Sequence, residues 1–187
     1  EKDHYELIIL GGGPAGLTAG LYAARARIDH LMIEKGAPGG QVLLTDWVDN
    51  YPGFPDGLSG FELMDRMTAH AKRFDLNTLI KEVERVDLDD PEVKKIWFSD
   101  GTALTSDTLI LCTGASANKL GIPGEAELSG KGVSYCGTCD APFYRNLKVA
   151  VIGGGDTAVQ EADYLTRFAS RVTIIHRRDE LRATKVI

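Results

Sequence analysis

The apolar and polar positions of the chain repeat one pattern twice. Near the start, the apolar residues 5–10 lead directly into a glycine loop that begins at Gly11. Such a run predicts a buried parallel strand that feeds a tight turn. Helical spacing of apolar residues follows from Pro14 to about Arg27, and a second apolar run at residues 30–33 ends on Glu34. The pattern therefore predicts a strand, a turn, a helix and a second strand.

The second copy of this pattern lies 142 positions further on and needs no gap. The shift places Gly11 on Gly153 and Gly16 on Ala158. It predicts a strand at 148–152, a helix from residue 157 to about 168, and a strand at 171–175. The two copies differ at one informative position, because Glu34 corresponds to His176.

Between the two copies, the pattern predicts a long ordered loop, one helix and a β-meander. Residues 35–60 are rich in turn-forming residues, and residues 60–74 have the spacing of an amphipathic helix. Short strands at 83–88, 93–98 and 102–104 form the meander, which runs into a further strand at 108–112. Residues 114–132 contain five glycines and no sustained periodicity, so we place a domain boundary there.

These elements predict an α/β protein with two Rossmann-like, three-layer dinucleotide-binding domains. The first spans residues 1–114 and includes the small meander, and the second spans residues 115–187. A Rossmann-like half that stops after its second strand has an unfinished sheet, so we expect both domains to be incomplete in this chain.

The composition narrows the class of partner. The chain has 187 residues and a formal net charge of −6, which argues against a nucleic-acid partner. No apolar run approaches the length needed to cross a bilayer, and the first residues show no signal-peptide pattern. We therefore expect a cytoplasmic protein.

The first glycine loop has the spacing of a dinucleotide fingerprint. Glycines there let the backbone approach a pyrophosphate at a helix N-terminus, and an acid at the end of the next strand binds the ribose hydroxyls. Glu34 stands 23 residues after Gly11 and is that acid. The context favours dinucleotide binding over a simple tight turn.

The second loop has a different chemistry at the matching position. His176, Arg177 and Arg178 replace the acid, and Arg182 follows about one helical turn later. Carboxylates repel a 2′-phosphate and guanidinium groups bind it, so the sequence favours NADPH over NADH. The alternative is a solvated basic face.

Cys136 and Cys139 form a CxxC pair that is followed by Asp140. A zinc site, a pair of inert core cysteines and a redox-active disulfide are the three alternatives. No other cysteine or histidine stands at zinc-ligand spacing, and the glycine-rich, polar setting suits a core pair poorly. A pair at a helix start favours thiolate and thus redox exchange, with Asp140 either carrying protons or simply starting the helix. Cys112 is predicted to be a core thiol.

Taken together, the motifs resemble the low-molecular-weight, bacterial-type thioredoxin reductases, a group of FAD-dependent pyridine nucleotide-disulfide oxidoreductases. The match runs in order along the chain through IILGGGPAG, GGQ, NYPGFP, LCTGAS, CGTCDAPFYRN, VAVIGGGDTA and IIHRRDELRA. Ala141 and Pro142 depart from the pattern, since many members have a glycine and an aromatic residue there.

The resemblance implies NADPH-dependent reduction of the disulfide of thioredoxin, through FAD and a Cys136–Cys139 redox disulfide. It implies that Cys139 faces the flavin, that Cys136 attacks thioredoxin, and that Asp140 is the acid/base. The residues implied at FAD are Gly11, Gly12, Gly13, Pro14, Ala15 and Gly16 at the pyrophosphate, Glu34 at the ribose, and Lys35, Gly40, Gln41, Asn50, Val83, Thr113, Gly114 and Ala115 elsewhere. The residues implied at NADPH are Gly153, Gly155, Asp156, Thr157, Ala158 and His176, with Arg177, Arg178 and Arg182 at the 2′-phosphate.

Members of that family are longer than this chain. We therefore expect a fragment of a protein that is a homodimer at full length, and we expect these 187 residues alone to be inactive. The resemblance also implies a domain rotation about residues 114–132. The alternatives are a related flavoprotein that reduces a peroxiredoxin, a non-catalytic redox-sensing nucleotide binder, and an NAD-binding module whose CxxC is structural.

Overall fold

The computed structural model of the protein describes residues 2–185 and divides into two units, Glu1–Ser116 and Ala117–Ile187. The predicted domain ends at residues 1 and 187 lie outside the described residues. Each unit has its own β-sheet.

The first unit is built on a six-stranded sheet in the order β3-β2-β1-β6-β5-β4. Strands β1, β2, β3 and β6 pair in parallel, and β4, β5 and β6 form the antiparallel meander. A 3-10 helix, Gly40–Leu44, interrupts the long loop before α2. The elements are β1 (His4–Leu10), α1 (Pro14–Arg25), β2 (His30–Glu34), α2 (Gly60–Lys72), β3 (Thr78–Ile80), β4 (Val83–Asp87), β5 (Lys94–Phe98) and β6 (Ala103–Leu111).

Alternate side chains of β1 enter two separate hydrophobic clusters. Leu7 and Ile9 pack with residues of α1 and α2, while Ile8 and Leu10 pack with Ile96 of β5. Because successive side chains of a strand point to opposite faces, both faces of β1 are buried. This burial explains why the strand reads as a continuous apolar run in the sequence.

Two predicted strands, 102–104 and 108–112, are one strand in the structure. β6 pairs with β5 through its first residues and with β1 over most of its length. Its polar middle suggested a break, but Ser106 is fully buried opposite Tyr5. The ladder to β1 therefore continues through the polar residues. The short strand β3 was not predicted.

Helix α2 begins where the sequence predicts. The Ser59 side chain caps it by accepting a hydrogen bond from the Glu62 backbone N–H at 3.1 Å. The helix ends at Lys72, two residues earlier than predicted. Asp75 then has a φ of 63°, a conformation that cannot continue a right-handed helix.

The second unit contains the second strand–turn–helix–strand copy. Its elements are α3 (Gly137–Asp140), a 3-10 helix (Ala141–Tyr144), β7 (Lys148–Ile152), α4 (Asp156–Leu165) and β8 (Arg171–Ile175). β7 and β8 have the predicted bounds and pair in parallel from Lys148↔Arg171 to Ile152↔Ile175. Ile152 and Ile175 at the ends of these strands are about half exposed.

The repeated unit and the α/β fold class are confirmed. Both copies place a glycine turn between a parallel strand and a helix. Among residues 2–185, no helix combines the length and the apolar character that a membrane crossing requires.

Candidate functional site

The first glycine loop lies where β1, β2 and β6 end together. The Gly11 N–H donates to the Ile33 carbonyl at 2.8 Å, and Gly11 has a φ of 104°. A Cβ at Gly11 would lie 2.2 Å from the Cys112 carbonyl oxygen, and one at Gly16 would lie 1.7 Å from the Gly11 carbonyl oxygen. Only glycine fits these two positions, so the loop runs unusually close to its neighbours.

Glu34, the predicted ribose acid, faces this loop. Its Oε2 accepts a hydrogen bond from the Gly12 N–H at 2.6 Å, and its Oε1 accepts from the Gly36 N–H at 3.1 Å. The parallel pairing of β1 and β2 causes this proximity, because both strands end at the same edge of the sheet. The carboxylate is therefore fixed beside the loop.

A second segment closes on the loop from the 3-10 helix. The Gln41 side-chain Nε2 donates to the Ala115 carbonyl at 2.6 Å, and the Gly39 N–H donates to the Gly12 carbonyl at 2.8 Å. A Cβ at Gly40 would lie 3.4 Å from the Gly13 Cα. The predicted flavin residues that these contacts bring together are Gly11, Gly12, Gly13, Gly16, Glu34, Gly40, Gln41 and Ala115.

The other residues predicted at the flavin lie elsewhere in the first unit or are exposed at its surface. Lys35, Asn50, Thr113 and Gly114 are exposed, and Pro14 and Ala15 form the first turn of α1. Val83 begins β4 and packs against the hydrophobic cluster that contains Ile8 and Leu10.

The first site fits the pyrophosphate of a dinucleotide. α1 is 12 residues long, and its N-cap, Gly13, has no side chain to occupy the free backbone N–H groups. Those groups and the helix dipole favour an anion at this position. The close packing at Gly11 and Gly16 holds the loop in a shape that lets a phosphate reach these N–H groups.

The second loop makes the same backbone hydrogen bond to its neighbouring strand as the first loop, and a segment that begins at Arg182 also contacts it. The Gly153 N–H donates to the Ile175 carbonyl at 3.0 Å, as Gly11 does to Ile33. The backbone N–H groups of Arg182 and Ala183 donate to the Gly154 carbonyl at 2.6 and 3.1 Å. The Thr184 N–H donates to the Asp156 carboxylate at 2.6 Å.

His176 lies directly against the second loop. A Cβ at Gly154 would lie 2.5 Å from its Nδ1, so the ring covers the glycine backbone. Its Nε2 is buried and has no hydrogen-bond partner in the described part of the chain. Buried polar atoms are normally paired, so this nitrogen fits a ligand group. Arg177 and Arg178 are exposed at the end of β8.

Helix α4 presents its N-terminus to this second loop. Its N-cap, Gly155, has no capping side chain, and Thr157 and Ala158 lie in its first turn. Thr157 and Thr138 line one groove, which places α3 beside the start of α4. The second loop and the CxxC are thus neighbours within one unit.

Cys136 and Cys139 form a disulfide with a Cα–Cα distance of 5.3 Å. Cys136 caps α3, and its Sγ accepts a hydrogen bond from the Cys139 N–H at 3.3 Å. Cys139 is exposed and Cys136 is half-buried. The bonded pair is the arrangement expected of a redox disulfide.

Asp140 ends α3 one residue beyond this disulfide. It is half-buried, and its N–H donates to the Cys136 carbonyl at 3.1 Å. Burial, with a smaller effect from the Asp140 charge, raises the pKa of Tyr144.

Burial also raises the pKa of Cys112, the one cysteine outside the pair. Cys112 packs against the hydrophobic cluster that contains Leu7 and Ile9, which supports its prediction as a core thiol.

The sequence did not identify Glu125 and Tyr135 as site residues. The structure buries Glu125 and joins it to Tyr135, the residue before Cys136. One sequence feature could have indicated Glu125: it is an acid within a turn that contains glycine and proline, where free backbone N–H groups attract a carboxylate.

Comparison with known proteins gives consistent matches. Residues 5–186 match the pyridine nucleotide-disulphide oxidoreductase family. The thioredoxin reductases of Listeria innocua and Coxiella burnetii are 48% and 51% identical to the chain. These alignments cover 100% of the chain and 58% of each relative, so the chain spans little more than half of their length.

Solved structures agree with these relatives. Thioredoxin reductase from Streptococcus pyogenes superposes with a TM-score of 0.88 at 43% identity, covering 100% of this chain and 60% of that chain. Thioredoxin reductase from Giardia duodenalis superposes with a TM-score of 0.90 at 36% identity, and the match covers 99% of this chain and 60% of that chain.

Proposed function

Because the chain belongs to the pyridine nucleotide-disulphide oxidoreductase family, we propose that its full-length protein reduces the disulfide of thioredoxin with electrons from NADPH. The observation that carries this proposal is the Cys136–Cys139 disulfide beside the second glycine loop. The relatives named thioredoxin reductase support the choice of thioredoxin as the protein substrate.

In this proposal the two loops hold different cofactors. The first loop, with Glu34, Gln41 and Ala115, holds FAD, and the acid at the strand end binds ribose hydroxyls. The second loop holds NADPH, with His176 against the loop and the exposed Arg177 and Arg178 binding its phosphate. FAD, when bound, supplies a two-electron relay between NADPH and the protein disulfide.

The chain's own residues perform the disulfide exchange. Reduction of the Cys136–Cys139 bond adds two electrons and two protons and yields two thiols. The Cys136 thiolate then attacks the thioredoxin disulfide, which forms a mixed disulfide and releases one thioredoxin thiol. The Cys139 thiolate attacks the mixed disulfide, which restores the original bond and releases the second thiol. In this proposal Asp140, the residue after Cys139, moves protons to and from these sulfurs.

The backbone around the pair favours this chemistry. The Cys139 N–H that points at the Cys136 Sγ stabilises negative charge on that sulfur once the bond is broken. Cys136 is thereby the better placed of the two for the role of attacking thiolate, and the resemblance assigns it the same role.

A coupled assay on the full-length protein tests the function. Purified protein with NADPH and oxidised thioredoxin is expected to consume NADPH and to produce thioredoxin dithiol. Cys136→Ser and Cys139→Ser are each expected to abolish turnover, whereas Cys112→Ser, the matched control, is expected to retain it. Reduction of a peroxiredoxin without reduction of thioredoxin would overturn the choice of substrate.

We also propose that the 187-residue chain alone does not turn over NADPH with thioredoxin. The support is its coverage of 58% of the length of its relatives, together with a sheet of only two strands among the described residues of the second unit. A two-stranded sheet is marginal by itself. NADPH consumption by this chain at the rate of the full-length protein would contradict the proposal. For the full-length protein, we propose a cytoplasmic homodimer, which gel filtration and cell fractionation check.

A further inference from the structure

A buried carboxylate in the second unit ties together two segments that are apart in sequence. Glu125 is only 6% exposed, and its oxygens accept four hydrogen bonds. Oε1 accepts from the Leu120 N–H at 2.8 Å and the Tyr135 hydroxyl at 2.9 Å. Oε2 accepts from the Gly121 N–H at 2.6 Å and, at 3.4 Å, from the Ile122 N–H. These donors replace the water that burial removes.

The ionisation of both side chains suits this arrangement. Hydrogen bonding, led by the Leu120 N–H, holds the pKa of Glu125 below its ordinary value. Burial and the nearby Glu125 carboxylate raise the pKa of Tyr135, so its hydroxyl keeps the proton that it donates. The Tyr135–Glu125 contact is therefore a charge-assisted hydrogen bond at neutral pH.

This contact leads directly to the disulfide. Tyr135 precedes Cys136, and the Ser134 hydroxyl accepts from the Cys136 N–H at 3.1 Å and donates to its carbonyl at 3.2 Å. On the other side, the Cys136 carbonyl accepts from the Cys139 N–H at 3.2 Å. Cys136 is thus fixed by α3 after it and by the Glu125 contact before it.

We propose that Glu125 is a positioning residue for the redox disulfide: through Tyr135 it holds Cys136 beside Cys139 and so favours the disulfide over the dithiol. The inference rests on the proposed function only in assigning a redox role to the pair. Two thiols that are held close together reoxidise more readily than two that move apart, because less chain freedom is lost when they bond.

The test measures the equilibrium between disulfide and dithiol in the full-length protein. The protein is equilibrated at a series of ratios of oxidised to reduced dithiothreitol, and alkylated Cys136 and Cys139 are counted by mass spectrometry. Glu125→Gln is expected to lower the equilibrium constant for disulfide formation about threefold to tenfold, which is at most about 30 mV for a two-electron couple. Tyr135→Phe keeps the charge, removes the link, and is expected to shift the constant in the same direction.

Glu127→Gln is the matched control, because Glu127 is an exposed acid two residues further along the same turn. It is expected to leave the constant unchanged. The double variant Glu125→Gln with Tyr135→Phe is expected to shift the constant by less than the sum of the single shifts, since both act through one contact.

Equal constants for the wild type, Glu125→Gln and Tyr135→Phe would overturn the proposal, even if thermal stability fell, because the carboxylate would then only support the fold. If Glu125→Gln does not fold, the constant for Tyr135→Phe decides. A parallel assay of thioredoxin reduction by the wild type keeps the two hypotheses apart: failure there rejects the proposed function and leaves the disulfide equilibrium readable.

Discussion

Replacing Gly16 with alanine is expected to distort the first loop and release FAD. Gly16 lies in the first turn of α1, where a methyl group would point at the Gly11 carbonyl oxygen from 1.7 Å. The second copy of the unit has Ala158 at the corresponding position, so the chain itself contains the matched comparison.

Two effects of opposite sign decide the size of the change. Alanine favours a helix over glycine by about 1 kcal/mol. Overpacking against a backbone atom costs about 3 kcal/mol, the upper end of the usual range, since no flexible side chain can move aside. The net expectation is a destabilisation of about 2 kcal/mol. The loop must also move away from the helix, so FAD affinity is expected to fall about tenfold or more.

The assay is urea unfolding of the full-length protein followed by circular dichroism, together with the ratio of flavin to protein absorbance after purification. Gly16→Ala is expected to lower both the urea midpoint and the flavin content. Ala158→Gly is expected to cost about 1 kcal/mol or less and to leave the flavin content unchanged. A Gly16→Ala protein with the wild-type midpoint and full flavin would refute the steric reasoning.

Three further changes test the other residues. Glu34→Gln is expected to weaken FAD binding about tenfold in a fluorescence titration, because an amide accepts through one oxygen where the carboxylate accepts through two. Arg177→Ala is expected to raise the KM for NADPH about tenfold and to leave that for NADH unchanged, whereas Arg171→Ala, an exposed control, is expected to change neither. Cys112 is expected to react with iodoacetamide more slowly than a free thiol at pH 8, because its raised pKa leaves less thiolate below that pKa; a rate equal to that of glutathione would contradict this.

The sequence predicted best those elements whose local pattern and tertiary role agree. β7 and β8 have the predicted bounds because their apolar runs are visible in the sequence and the two strands pair in parallel over those same residues. The proximity of Glu34 to the first loop was predictable for a related reason, since parallel strands of one sheet end at one edge.

The errors arose where long-range contacts override local composition. The polar middle of β6 suggested two strands, but β1 supplies a continuous ladder that buries Ser106. Glu125 escaped notice because an acid in a turn is ordinarily solvated. Its partner Tyr135 is ten residues away, and no periodicity in the sequence connects the two.

The two-stranded sheet of the second unit has a consequence for handling the protein. In the described part of the chain, β7 and β8 each have one strand neighbour, and their ends expose Ile152 and Ile175. Unpaired strand edges with apolar side chains are templates for pairing with another chain. Concentrated solutions of the 187-residue chain are therefore expected to self-associate through these edges, and a charged substitution such as Ile175→Lys is expected to reduce light scattering.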